Sequence, residues 1–222
     1  MPASAREPGL RPSPSGRSLF KGRFIVLDGP DGGGKTTQAN LLCEALSREG
    51  RVVELTREPG GTPLGERLRE LLLSTDGPEI GARAELFLFM AARAQLVESL
   101  VRPALEAGRI VVSERYVLSS IVYQGLAGSI PAGEVESIGR SATGGLVPDL
   151  TVILDVDAET GLRRAGRSDR IEQRGRSYHE RVRQGFLSLA RRDLKGVFVV
   201  DASRPVEVVH QDVMRLVRDV LP

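Results

Sequence analysis

The sequence is poor in residues on which several kinds of protein depend. It has one cysteine, Cys43, so no disulfide can form within the chain, which fits a reducing, cytoplasmic compartment. Its two histidines, His179 and His210, lie far apart and give, with one cysteine, no basis for a transition-metal site. Both are expected on polar helix faces, without a role. No apolar run approaches the roughly 18 residues that a membrane-spanning helix needs, so no membrane association is expected. Positive charge is barely in excess: at +2 net, a pI near 9.0 gives no reason to expect a nucleic-acid partner. The only asparagine is Asn40, which excludes the Asn-Lys-x-Asp loop that reads guanine in GTP-binding switches. Lysine is scarce as well, at three positions: Lys21, Lys35 and Lys195.

One of those three stands in the most informative stretch of the chain. Gly29-Pro30-Asp31-Gly32-Gly33-Gly34-Lys35-Thr36 follows the apolar run Phe24-Ile25-Val26-Leu27 and precedes a helical pattern over 38–49. That is the strand, loop and helix order in which G-x-x-x-x-G-K-[ST] cradles phosphates. The glycines let successive backbone N–H groups converge on phosphate oxygens where a Cβ would intrude. The start of the next helix adds unpaired N–H groups and a positive dipole end. Residues 29–34 with Lys35, Thr36 and Thr37 are the expected loop for binding a nucleoside triphosphate. Lys35 would reach the β- and γ-phosphates, and the Thr36 hydroxyl would help hold Mg²⁺.

The rest of the chain supplies a fold for that loop. At 222 residues, 41% apolar and 27% charged, it suits one globular domain over 21–222. Residues 1–20, rich in Pro, Ser, Arg and Gly, are expected to form a disordered tail. Apolar runs at 24–27, 52–55, 110–112, 150–154 and 197–200 read as parallel strands buried on both faces. Helical patterns fall between them, at 38–49, 64–73, 82–107, 117–124, 134–142, 159–164, 176–192 and 205–220. Alternation of this kind predicts an α/β fold: a three-layer P-loop NTPase with a five-stranded parallel sheet flanked by helices. Ligands would then bind at the carboxyl ends of the strands.

The motifs at those ends point to a second nucleotide. Thr56-Arg57-Glu58-Pro59-Gly60-Gly61-Thr62 follows the second strand. A turn accounts for Pro59 and the glycines but not for Arg57 and Glu58. Phe89 and Arg93, four residues apart, share a helix face and could stack a base while holding a phosphate or base edge. The third strand ends in Ser113-Glu114-Arg115-Tyr116, with Ser120, Tyr123 and Gln124 beyond it. Arginines are dense from Arg163 to Asp169-Arg170-Ile171-Glu172, and Asp201-Ala202-Ser203-Arg204-Pro205 follows the fifth strand.

Taken in this order, the motifs resemble those of bacterial thymidylate kinases from about residue 24 onward. The resemblance implies that Arg57, Glu58 and Pro59 belong to the acceptor site with Asp31. It implies that Phe89 stacks on thymine and Arg93 contacts the base. Arg115 matches the arginine on the acceptor phosphate, and Tyr123 the ring that disfavours a 2′-hydroxyl. Ser120 and Gln124 match polar positions around that nucleotide. Glu114 stands where the family usually has Asp, one methylene shorter, and would join Thr36 at the metal. Residues 163–176 resemble the lid, with Arg164, Arg167 and Arg170 as candidates for neutralising the transferring phosphoryl group. The loop at 201–205 would pack around adenine. The implied reaction is ATP plus dTMP giving ADP plus dTDP, in a homodimer that could pair through the helix at 82–107. Two alternatives stay open at this point: another P-loop nucleotide or deoxynucleoside kinase, and a catalytically inactive nucleotide-binding regulator.

Overall fold

The structure, a computed structural model, describes residues 20–166, 169–192 and 194–221. The tail expected over 1–20 therefore lies, except for Phe20, outside the described residues, and so does Arg167. Five strands form one parallel sheet: β1 (Arg23–Asp28), β2 (Val53–Arg57), β3 (Ile110–Glu114), β4 (Leu150–Asp155) and β5 (Val197–Asp201). Their spatial order is β2-β3-β1-β4-β5, so β1 is central and the order reverses beside it. Each strand runs further than its apolar stretch, ending in Asp28, Arg57, Glu114, Asp155 or Asp201. The register brings these ends level, with Leu27 beside Glu114, Asp28 beside Ile153 and Asp155 beside Asp201. This polar edge is where a doubly wound sheet binds ligands.

The apolar runs reflect burial on both faces of β1. Ile25 and Leu27 pack with Ala39, Leu42 and Leu46 of α1 (Lys35–Arg48) and with Val209, Val213 and Val217 of α9 (Val206–Val220). Phe24 and Val26 face the other way, onto Leu96, Val97, Val101 and Leu105. Beyond them, Ile153 meets Val122, Tyr123, Val182 and Phe186. Each fully buried side chain of this kind stabilises the fold by about 1.5–3 kcal/mol. The remaining helices are α2 (Pro63–Leu73), α3 (Ala82–Leu96), α4 (Arg102–Glu106), α5 (Val117–Ser120), α6 (Ala132–Ala142), α7 (Ala158–Ala165) and α8 (Arg176–Ala190). No helix among the described residues is long and apolar enough to cross a membrane.

Two helices differ from the expectation. The single helix expected over 82–107 is interrupted by a π-helical turn at Val97–Val101 before α4. Pro103 explains the break: it has no N–H to donate, and its ring would strike the carbonyl four residues back, so the ladder widens there. The helix expected over 117–124 likewise passes from α5 into a π-helical turn at Ile121–Leu126, which carries Tyr123 and Gln124.

Candidate active site

The loop between β1 and α1 takes its path because Asp28 and Gly32 require it. Asp28 is fully buried, and its Oδ1 accepts from Gly29 N at 2.9 Å and from Ser119 Oγ at 2.6 Å. Its Oδ2 has no partner among the described residues, and burial raises its pKa. Gly32 has φ +71° and lies so close to α7 that a Cβ would stand 2.0 Å from Gly161 O. Gly34, at φ 82°, caps α1 without a side-chain hydrogen bond, leaving the first-turn N–H groups open. Lys35 Nζ arches back over the loop and donates to Pro30 O at 2.6 Å and Gly29 O at 3.2 Å. Burial, with Arg115 beside it, lowers its pKa to about 8.

Thr36 Oγ1 donates to Glu114 Oε2 at 2.7 Å, joining the start of α1 to the end of β3. The Thr36 hydroxyl and the Glu114 carboxylate are hard oxygen donors and both line the cavity described below. Among the described residues no three His, Cys, Asp or Glu side chains cluster as a metal cage. The set fits Mg²⁺, which takes one or two protein oxygens and completes its shell with waters and substrate phosphates.

Asp31 and Arg115 are bound to each other across the loop. Arg115 has φ 70°, a left-handed conformation rare for a branched or long side chain. Holding it there costs about 1–3 kcal/mol, and such strain gathers at functional sites. The bend turns the guanidinium over the loop, where it donates to Gly29 O at 3.0 Å, to Ser119 Oγ at 3.1 Å and to Asp31 Oδ1. It also lies 5.0 Å from the centroid of the Tyr123 ring. Tyr123 OH donates to Asp31 Oδ2 at 2.9 Å. Burial works against the Asp31 charge, but Arg115, Lys35 and Tyr123 outweigh it and lower the pKa.

These groups line a cavity of about 670 Å³ at the polar edge of the sheet. One wall is the loop from Asp31 to Thr37, with Arg164 of α7 and Ala202 and Arg204 after β5 beside it. Arg164 Nη1 donates to Ala202 O at 3.0 Å. The other wall carries Arg57, Glu58, Pro59, Phe89, Arg93, Ser120, Tyr123 and Gln124. Glu114 and Arg115 stand between. The expected site residues outside the lining are Gly29 and Pro30, which lie behind the loop as acceptors for Lys35, and Arg170. Arg170 turns from the cavity: its Nη2 donates to Glu85 Oε2 at 2.8 Å and its Nε to Leu72 O at 3.1 Å.

At the far end of the cavity is a buried ion pair. Arg93 and Glu58 have side chains only 2% and 4% exposed and meet at 2.6 Å. Arg93 also donates to Met90 Sδ at 3.0 Å, Ser120 Oγ at 3.1 Å and Tyr116 O at 3.1 Å. Burial pushes the Glu58 carboxyl up to about 7 against the pull of Arg93.

Several residues of the site were not expected from sequence. Asp28 could have been found, since it ends the strand directly before the glycine loop. Arg69 lines the cavity and donates to Pro59 O at 2.9 Å. His179 corrects the expectation outright: it is 3% exposed, with Nδ1 3.7 Å from Asp31 Oδ2. Its spacing with Val182, Phe186 and Leu189, all buried on α8, is the signal that marks it as inward-facing.

Comparison with known proteins agrees with this geometry. Residues 27–213 match the family described as thymidylate kinase. The chain is 47% identical over 201 residues to a thymidylate kinase of Symbiobacterium thermophilum, covering 90% of this chain and 94% of the relative. It is 45% identical over 204 residues to a thymidylate kinase of Deinococcus radiodurans, covering 90% and 98%. The crystal structure of thymidylate kinase from Ehrlichia chaffeensis matches with a TM-score of 0.72 at 31% identity, covering 88% of this chain and 98% of that one.

Proposed function

The chain belongs to the thymidylate kinase family and is a dTMP kinase, and we propose that its large cavity seats the two nucleotides end to end. ATP lies on the glycine loop, and dTMP lies between Phe89 and Tyr123. The observation that carries this reading is the placement of Arg115 between the glycine loop and a pocket lined by two aromatic residues, Phe89 and Tyr123, and several polar ones. The adenine would rest against the loop of Ala202 and Arg204. The thymine would stack on Phe89, with its carbonyl edge toward Arg93. All the Arg93 donors are engaged, but the one on Met90 Sδ meets a weak acceptor, so a base oxygen would displace sulfur at little cost. Tyr123, held by Asp31, would pack under the deoxyribose and leave no room for a 2′-hydroxyl.

In the reaction an acceptor phosphate oxygen bonds to the γ-phosphorus while the bond to the β,γ-bridging oxygen breaks and ADP leaves. The acceptor is already anionic near pH 7, so the residues need to align and neutralise rather than remove a proton. Lys35 would pair with the β- and γ-phosphates, Arg115 with the acceptor phosphate, and Arg164 with the charge moving between them. Arg167 remains a candidate for the same role. Arg170, committed to Glu85, would anchor the lid instead. Thr36 and Glu114 would hold Mg²⁺, which would supply positive charge to offset that of the phosphates. The lone half-buried thiol Cys43 supports a reducing, cytoplasmic setting. The exposed Leu64, Leu71 and Phe87 on α2 and α3 support a homodimer formed through those helices.

An ADP-release assay with Mg-ATP tests the reading, offering dTMP, dUMP, the ribose form of TMP, dGMP and thymidine in turn. Turnover should be highest with dTMP and absent with thymidine. Lys35→Ala and Arg115→Ala should each reduce it about a thousandfold or more. ADP release that ignores the acceptor would overturn the acceptor site, and near-normal turnover in either variant would overturn the assignment of that residue.

A further inference from the structure

Glu85, in the first turn of α3, is 3% exposed, and nothing in the reaction above uses it. A carboxylate is hidden this completely only where donors meet it, and here they come from two distant parts of the chain. Glu85 Oε2 accepts from Arg170 Nη2 at 2.8 Å and from Arg174 Nη2 at 2.7 Å. Glu85 Oε1 accepts from Gln124 Nε2 at 2.9 Å. The two arginines sit in the segment after α7, which is tied down further where Arg170 N donates to Leu73 O at 3.1 Å. Arg174 Nη1 donates to Tyr178 OH at 2.7 Å, and Tyr178 OH donates to Tyr123 O at 2.9 Å. Through Glu85 and Tyr178 the segment is therefore linked to two adjacent residues of the π-helical turn, Tyr123 and Gln124.

The consequence falls on Gln124. A carboxamide can present either its oxygen or its NH₂, and its hydrogen-bond partners decide which. A carboxylate only accepts, so Glu85 admits the NH₂ end alone. The Gln124 oxygen accepts no hydrogen bond among the described residues, and Gln124 lines the cavity one helical turn beyond Ser120, which touches Arg93. An acceptor at that place complements the N3–H of a thymine or uracil imide and opposes the N3 lone pair of cytosine. We propose that Glu85 is a positioning residue for base specificity: it fixes the Gln124 amide so that the acceptor must be an imide. Through Arg170 and Arg174 it makes that reading depend on the lid segment being seated on α3. The proposal rests on the dTMP site described above and adds to it the device that selects the base.

The test is steady-state turnover of the full chain with saturating Mg-ATP and dTMP, dUMP or dCMP as acceptor. Wild type is compared with Glu85→Gln, Arg174→Gln and the double variant, each checked for folding by circular dichroism. In Glu85→Gln the dTMP-to-dCMP ratio of kcat/KM should narrow about ten- to a hundredfold, the worth of one charge-assisted hydrogen bond. The change should come through KM, and dUMP should fall in step with dTMP because it carries the same imide. Arg174→Gln should narrow the ratio less, and the double variant should narrow it no further than Glu85→Gln, since Arg174 reaches Gln124 through Glu85 while its bond to Tyr178 bears on Tyr123. A ratio held within about twofold, even with a uniform loss of activity, overturns the proposal, as does an additive double variant. If Glu85→Gln does not fold, Arg174→Gln decides alone; that side chain is 29% exposed and tolerates change better. A wild type with no preference for dTMP over dCMP overturns the acceptor site itself, whereas preference retained in every variant overturns only the role of Glu85.

Discussion

Replacing Glu58 by leucine should destabilise the protein far more than its one ion pair would suggest. Glu58 and Arg93 are both almost wholly inside, and Arg93 is locked in place by Met90, Ser120 and Tyr116 as well. The bonds to Met90, Ser120 and Tyr116 hold the guanidinium in place, and arginine stays charged inside proteins, so above pH 7, where Glu58 is ionised, Glu58→Leu leaves a buried cation without its anion. Breaking such a pair from one side costs about 3–5 kcal/mol. For a chain of this size each kcal/mol lowers the melting temperature by about 2–4 °C, so the expected fall is about 6–20 °C. Arg93→Met should cost a similar amount, by stranding the carboxylate. The double variant Glu58→Leu/Arg93→Met removes both charges and should recover at least about 2 kcal/mol of the summed losses. It should recover no dTMP kinase activity, because Arg93 is the polar end of the base pocket proposed above. The pair also has a pH signature. The Glu58 pKa stands at about 7 in the fold against an ordinary 4.5, so between those values the folded chain holds a proton that the unfolded chain releases. Stability contributed through Glu58 therefore rises as pH falls from 7 toward 4.5, and Glu58→Leu should lack that slope. Urea unfolding of the four proteins at pH 5 and pH 8 measures all of this. A loss below about 1 kcal/mol in the single variants, or a double variant equal to their sum, would refute the reasoning.

Two shorter predictions concern the glycine loop. Lys35 has its pKa lowered to about 8, and a bound triphosphate favours the charged amine, so affinity for a non-hydrolysable ATP analogue should hold below pH 8. It should weaken above that by up to about tenfold per pH unit; calorimetric affinities that stay flat from pH 7.5 to 9.5 would contradict this. Gly32→Ala must place a Cβ 2.0 Å from Gly161 O at a φ of +71°, so the loop should shift from α7. The expected cost is about 1–3 kcal/mol of strain with loss of analogue binding, and wild-type affinity in that variant would show that the loop is not the phosphate cradle.

The parts of this site that were readable in sequence are those whose cause is local. Parallel strands buried on both faces produce unbroken apolar runs, which is why β1, β3 and β4 were visible; the edge strands β2 and β5 carry apolar runs too, but Leu55, Phe198 and Val199 are exposed there, against the expected burial on both faces. The glycine loop was visible because a backbone that curls around phosphate requires glycine at set spacings. Partners are a different matter. Arg170 looks like a lid arginine within Asp169-Arg170-Ile171-Glu172, yet its position is decided by Glu85, 85 residues away. Glu85 could be suspected, since it falls on the α3 face of Phe89 and Arg93 at intervals of four. Its donors, at 39, 85 and 89 residues' distance, leave no trace in the local pattern. The π-helical turns share this character: Pro103 signals the first, but the second shows only in how Tyr123 and Gln124 are held. A motif fixes which residues reach the cavity, while long-range pairs fix which of their atoms face it. For a kinase that aligns charges rather than making covalent bonds to its substrate, that second level carries the specificity. Glu58 behind Arg93, Glu85 behind Gln124 and Asp31 behind Tyr123 each engage donors that would otherwise face the cavity, and on the site proposed above they set what the acceptor nucleotide meets there.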